Sequence, residues 1–285
     1  MAKSIHHLLF ALFAIVAPAS GFAQSKPDVL ILGDSQISFG AGAVYLDFFD
    51  NLNRHCGSVM SKAQLSDLGK ARTLALGVRS TSLHSWIARS GASKGTICDV
   101  DKKYGVNAGV YGVNGNSERK FIQIGKERGF RYCARNESAF EGAFKNPANH
   151  PKLLVLNFLG NSEKRWSESQ SAADADVRKT LQQIPSDVPC VVLTTAPVFS
   201  KQTNDKRMAA QTRLERALEK AGSRCQLVKG YTSQTRNAIE GKSQYFRRNK
   251  SGKIIDPHHP SEAAIRQFMK STGPKICEAM ASVLK

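Results

Sequence analysis

Asp28-Val29-Leu30-Ile31-Leu32-Gly33-Asp34-Ser35 decides how this chain folds. The aliphatic run is short, unbroken by polar residues and closed by Gly. Such a run suits a strand buried on both faces, as in a parallel sheet. Residues 72–77, 153–160, 190–195 and 225–228 have the same form. Between them lie helical patterns at 173–184 and 205–221. A last one at 261–284 opens with Ser261 as cap after Pro260, and a break is expected at Gly273-Pro274. Alternating strands and helices predict an α/β fold, a three-layer α/β/α sandwich. Its mostly parallel sheet has five strands in a flavodoxin-like order, with an insertion after the second strand. That insertion, about residues 91–150, is rich in Gly and Asn and lacks a long helical pattern. Within it, 121–124 and 130–133 flank a Gly-containing turn and are expected to form a hairpin.

The first 23 residues have the features of an export signal. Lys3 supplies positive charge, residues 8–16 form an apolar run, and Gly21 and Ala23 are small residues around a cleavage point. The run is too short to span a bilayer comfortably. Cleavage after Ala23 is expected, leaving a 24–285 domain that is periplasmic or secreted, without stable membrane insertion. An uncleaved anchor is the alternative. All six cysteines lie beyond the signal, and an even count in an exported chain favours disulfides. Cys190 and Cys225 each open a strand-like run, and Cys98 and Cys133 share the insertion. Those two pairs leave Cys56 with Cys277; buried free thiols are the alternative. No closely spaced cysteine pair suggests a zinc cluster, and the adjacent His258 and His259 lack further ligands in sequence, so neither metal nor cofactor is expected. Net charge is +18, or +17 without Lys3. A basic exported chain suits an anionic glycan or lipid head group, or simply a solvated basic surface; export argues against nucleic acid. The sequence leaves the oligomeric state open.

In an open parallel sheet, ligands bind beyond the carboxyl ends of the strands. Ser35 follows the first strand, Gly77 the second and Gly160-Asn161 the third, while Asp256 and His259 come after the fifth. An Asp and a His three residues apart fit one loop, with the carboxylate orienting the imidazole. A Ser just past a strand is placed to lose its proton to that ring. Singly, each residue has a plainer role as a helix cap, a turn residue or a structural histidine.

Gly33-Asp34-Ser35, Gly77-Val78-Arg79-Ser80, Gly160-Asn161 and Asp256-Pro257-His258-His259 together resemble, in order, the sequence blocks of the SGNH, or GDSL, hydrolase family. The resemblance implies Ser35 as nucleophile, His259 as general base and then acid, and Asp256 as the group fixing the imidazole. It also implies an oxyanion hole from the backbone N–H groups of Ser35 and Gly77 and the side-chain amide of Asn161. The chain departs from the family in its second block, where Ala75 and Ser80 stand in place of Asn and Gly. Asn107-Ala108-Gly109-Val110-Tyr111-Gly112 matches that block in letters, but it follows no apolar strand. Gly91-Ala92-Ser93-Lys94-Gly95 matches a nucleophile elbow, yet lacks the strand before it and is expected to be loop.

The expected function is a serine esterase that cleaves a small acyl ester, such as an O-acetyl group on an envelope or extracellular glycan. Alternatives are an O-acyltransferase using the same residues, and a non-catalytic glycan-binding protein of this fold. Trp86, Arg165 and Trp166, with Phe199, are candidates for the substrate wall; ordinary core aromatics are the plainer reading. Residues 245–250, Tyr-Phe-Arg-Arg-Asn-Lys, precede the Asp-His loop and form a candidate basic lip.

Overall fold

The computed structural model describes residues 27–68, 72–91, 96–100, 106–112, 119–124, 130–131 and 133–284. The expected export signal and Ser93 lie outside these residues. In chain order the strands are β1 (Val29–Gly33), β2 (Thr73–Val78), β3 (Asp99–Val100), β4 (Val106–Tyr111), β5 (Arg119–Ile124), β6 (Phe130–Arg131), β7 (Leu153–Asn157), β8 (Cys190–Leu193), β9 (Gln226–Val228), β10 (Phe246–Arg248) and β11 (Ile254–Pro260). The helices are α1 (Gly42–Asp50), α2 (Leu52–Cys56), α3 (Lys62–Leu68), α4 (Leu83–Ile87), α5 (Ala139–Phe144), α6 (Leu159–Glu168), α7 (Gln170–Gln183), α8 (Lys201–Lys220), α9 (Ser233–Ile239) and α10 (Glu262–Val283).

The main sheet runs β5-β4-β2-β1-β7-β8-β9. Its five strands from β2 to β9 are parallel, in the flavodoxin-like order, and the insertion adds β4 and β5 antiparallel at the β2 edge. Side-chain alternation makes the three layers. Leu30 and Leu32 of β1 enter a core shared with Trp86, Phe140, Trp166 and Leu214. Val29 and Ile31 face the opposite core, with Phe49, Phe268, Ile276 and Met280. A strand apolar on both faces therefore has a use for every side chain.

Two expectations need correction. Among the described residues, 121–124 do not pair with 130–131 as the expected hairpin requires. β5 pairs with β4, and β6 pairs with β3. A six-residue β5 against β4 satisfies more backbone groups than the short alternative, while the Cys98–Cys133 disulfide draws β3 and β6 together. Nor does the last helix break at Gly273-Pro274; α10 runs through both. Burial of Phe268, Ile276, Cys277 and Met280 holds it against the core on either side of the proline.

The cysteines pair as Cys56–Cys277, Cys98–Cys133 and Cys190–Cys225. The first spans 221 residues and ties α2 to α10. Closing so long a loop restricts the unfolded chain most, so the Cys56→Ser, Cys277→Ser double variant should lose about 5 kcal/mol in chemical denaturation. A loss under about 1 kcal/mol would assign the bridge a negligible role in global stability.

Candidate active site

β1 lies between β2 and β7, and its crossovers depart in opposite directions, which opens a crevice beyond the strand ends. Ser35 stands there, two residues past the end of β1. His259 lies on β11, whose pairing with β10 brings Arg247 opposite Asp256. The loop is anchored where the Phe199 N–H donates to the Pro257 carbonyl at 3.0 Å. Gln36, 5% exposed, donates its side-chain amide to the His258 carbonyl at 2.8 Å. That bond ties the residue after Ser35 directly to the strand carrying His259.

These supports bring three of the expected residues together. His259 Nε2 lies 3.0 Å from Ser35 Oγ. His259 Nδ1 lies 3.0 Å from each Asp256 oxygen, and Asp256 Oδ1 also accepts the backbone N–H groups of His258 and His259. The carboxylate fixes the ring proton on Nδ1 and leaves the Nε2 lone pair facing Ser35. Burial pushes the His259 pKa down, and the Asp256 charge only partly opposes this, so the imidazole is neutral at neutral pH. Burial alone would raise the Asp256 pKa; the His259 ring and the two backbone donors outweigh it and hold it below the usual carboxylate range. Phe39 stacks on the His259 ring with centroids 4.0 Å apart. The Arg79 guanidinium lies 3.7 Å over the Phe39 ring, while its Nε donates to Ser38 Oγ. His258 itself is exposed, so spacing selects His259 for the relay.

Asp34 is fully buried between Ser35 and the start of α6. Its Oδ1 accepts the Gln36 N–H at 2.9 Å, and its Oδ2 accepts the Asn161 N–H at 3.1 Å, with Gly160 a further donor. A Cβ on Gly160 would come within 2.5 Å of that carboxylate, which is why Gly occupies the position. Asp34 therefore clamps the Ser35 turn to the first turn of α6, where open N–H groups and the helix dipole favour an anion. Burial nonetheless dominates and pushes its pKa up to about 6; the N–H donors and the Arg207 charge only partly offset it. Arg207 is buried and donates to the Tyr231 hydroxyl at 3.1 Å. The clamp was absent from the sequence reading, although its signal, an Asp directly before the Ser, was in view.

Other expected residues sit differently. Asn161 is at the crevice, with its side-chain amide donating to the Thr81 carbonyl at 2.9 Å, which leaves a second amide hydrogen. Gly77 lies inside the sheet, in register with Gly33 of β1 and Gly109 of β4. A Cβ there would lie 2.5 Å from Ser38 N and 2.7 Å from the Asp34 carbonyl oxygen. Gly77 is thus the floor that lets the Ser35 turn pass, and strands flank its backbone on both sides. The chain leaves β2 at the Arg79-Ser80 turn, where Ser80 is exposed with φ 60°. The text match at 107–112 falls largely on β4, at the side of the sheet.

Trp86 and Trp166 do not line an open wall. They are 3% and 1% exposed. Trp86 packs on Phe140 and Phe158, and its Nε1 donates to Thr81 Oγ1. The Trp166 Nε1 and Arg165 Nε both donate to Asp176 Oδ2, and the His84 ring lies 2.9 Å from the other oxygen. These residues form a knot joining α4, α6 and α7, because a buried carboxylate needs several donors. Phe199 is half-buried and packs edge-on against Phe246 behind the His259 loop.

No protein-family model matches the chain, and no curated protein is similar to it in sequence. Among solved structures it is similar to a DUF4886 family protein from Bacteroides uniformis ATCC 8492, at 10% identity and TM-score 0.46, over 90% of this chain and 94% of that one. It is also similar to a family two carbohydrate esterase from Clostridium thermocellum, at 11% identity and TM-score 0.40, over 94% of this chain and 67% of that one. A peptidoglycan O-acetylesterase is similar at 10% identity and TM-score 0.41, over 91% of this chain and 93% of that one. These likenesses are weak, and the chemistry of the site rests on its own geometry.

Proposed function

We propose that this chain is an exported serine esterase that removes small acyl groups, O-acetyl foremost, from a glycan. The observation that carries the proposal is the continuous relay from Ser35 Oγ through His259 to Asp256, with both steps at 3.0 Å. Ser35 Oγ attacks the acyl carbonyl while His259 Nε2 takes its proton. The developing oxyanion is met by the Ser35 N–H and the second amide hydrogen of Asn161. His259 then protonates the leaving alcohol. Water, deprotonated by the same ring, cleaves the acyl-serine to release the acid and restore Ser35. Three disulfides suit an oxidising compartment, and among the described residues no helix is long and apolar enough to cross a membrane.

The test is p-nitrophenyl acetate hydrolysis across pH, with fluorophosphonate labelling of the same preparation. His259 must be neutral to act as base, and burial lowers its pKa. Activity is therefore expected to persist on the acid side of the ordinary imidazole value and fall only below it. Label is expected on Ser35. Label on Ser93 instead, or activity removed by chelation and restored by zinc, would overturn the mechanism. Ser35 labelling with turnover only when a sugar acceptor is supplied would reassign the chain as an acyltransferase.

A further inference from the structure

The hairpin that carries Asp256 and His259 is one-sided in charge. From Lys242 to Ile255 the sequence holds Lys242, Arg247, Arg248, Lys250 and Lys253 and no acidic residue. All five cations are exposed, and none makes an ion pair among the described residues. Elsewhere the basic residues are often partnered, as in Arg236 with Asp205 and Glu240, or Lys220 with Asp174. The hairpin tip is held in one shape, with Asn249 Oδ1 accepting the N–H groups of Ser251 and Lys253. Arg247 stands opposite Asp256 in the ladder, so the patch begins where the relay does. Arg79 adds a cation on the other side of His259, one Phe39 ring away.

We infer that the ester is carried on an anionic polysaccharide, which the β10–β11 hairpin draws across the site. The inference rests on the esterase reading and adds the substrate class. A cluster of cations on an ordered hairpin beside one nucleophile raises the local concentration of a polyanion and sets its direction of approach. A hydrated polyanion fits better than a lipid surface. Ile255, 50% exposed, is the only large apolar side chain of the hairpin that is exposed, and membrane-surface binding draws on a broad apolar face.

The experiment uses the full oxidised chain with O-acetylated homogalacturonan, O-acetylated xylan and p-nitrophenyl acetate. Wild type should show a lower KM for the acidic polymer than for neutral xylan, by about tenfold at low salt, and the gap should close as salt screens the patch. Arg247→Glu with Arg248→Glu should raise KM for the acidic polymer by about tenfold and flatten its salt dependence. Lys206→Glu with Arg216→Glu, an equal charge change on α8, should leave that KM within about twofold, which separates the patch from net charge. Equal effects of the two pairs, or equal KM for both polymers, would overturn the inference while p-nitrophenyl acetate turnover still upheld the esterase. Loss of binding to phosphatidylglycerol vesicles in the hairpin variant, with polymer kinetics unchanged, would overturn it in favour of a membrane. If no ester is turned over and Ser35 takes no label, the esterase reading itself fails. Titration with deacetylated homogalacturonan then still tests the patch, because it needs no turnover.

Discussion

Ser35→Ala is expected to lower kcat on an alkyl acetate by about a millionfold, His259→Ala by about as much, and the double variant no further. In the proposed mechanism the two side chains perform one event: the proton leaves Ser35 Oγ for His259 Nε2, 3.0 Å away, as the carbon–oxygen bond forms. Removing either removes the nucleophilic path, and a second loss finds nothing left to remove. What remains is solvent attack on an ester still held by the oxyanion donors, about a thousandfold or more above water. The leaving group separates the two roles of His259. An alkoxide must be protonated as it leaves, whereas p-nitrophenolate leaves unaided. The His259→Ala loss in the acylation step, read from kcat/KM, should therefore be smaller on p-nitrophenyl acetate than on the alkyl ester, while deacylation of the shared acetyl-serine is slowed alike on both. Asp256→Asn keeps the ring in place but turns its tautomer, for an expected loss of about ten-thousandfold. Separate kcat and kcat/KM measurements on both esters check this. Losses that multiply in the double variant would mean that the residues act independently and that the relay is not the reacting unit.

The residues of the relay were legible in the sequence because each sits where the backbone pattern leaves few choices. Ser35 closely follows an aliphatic strand, and Asp256 and His259 have a spacing that fits one loop. The sheet was legible for a similar reason, since strands buried on both faces leave unbroken apolar runs. The insertion was not. The β4 segment, Val106–Tyr111, carries Asn, Ala and Gly, and it joins the sheet because the β2 edge offers backbone partners, a cause that lies outside its own sequence. Trp86 and Trp166 were misplaced for a related reason. As aromatic side chains they were candidates for a substrate wall, but both are buried, and Thr81 and Asp176 accept their ring N–H groups. Gly77 was placed by the strand before it, not by the fuller letter match at 107–112. The glycine is required there by the turn from Asp34 to Ser38 passing over it. Distant partners such as Arg207 for Asp34 leave no local pattern.

Asp34→Asn is expected to cut kcat by about a hundredfold while KM changes little, because small displacements of reacting groups are costly. An amide keeps the size of the carboxylate but has one oxygen and one NH2 group. The Gln36 N–H approaches one side and the Gly160 and Asn161 N–H groups approach the other, so NH2 must face a donor whichever way the amide turns. The first turn of α6 then moves away from Ser35, taking the Asn161 amide with it. Stability should respond in the opposite sense. Asp34 has its pKa raised from 3.8 to about 6 by burial, so the folded state binds its proton more tightly than the unfolded chain does. Its favourable contribution is full below about pH 4 and is lost as pH rises through about 6, a change on the order of 3 kcal/mol. The amide that replaces the carboxyl in the variant has no charge to bury and does not suffer that loss. The difference in melting temperature should therefore move in favour of the variant as pH rises from about 4 to 7, while its kcat deficit grows as the wild-type carboxyl ionises. Wild-type kcat in the variant would reduce Asp34 to a filler of space. A pH-independent melting difference would mean that its carboxyl is not burdened by burial. The paired result, slower catalysis with relief of the charge cost, would identify Asp34 as a group kept ionised at the expense of stability because the oxyanion donors depend on it.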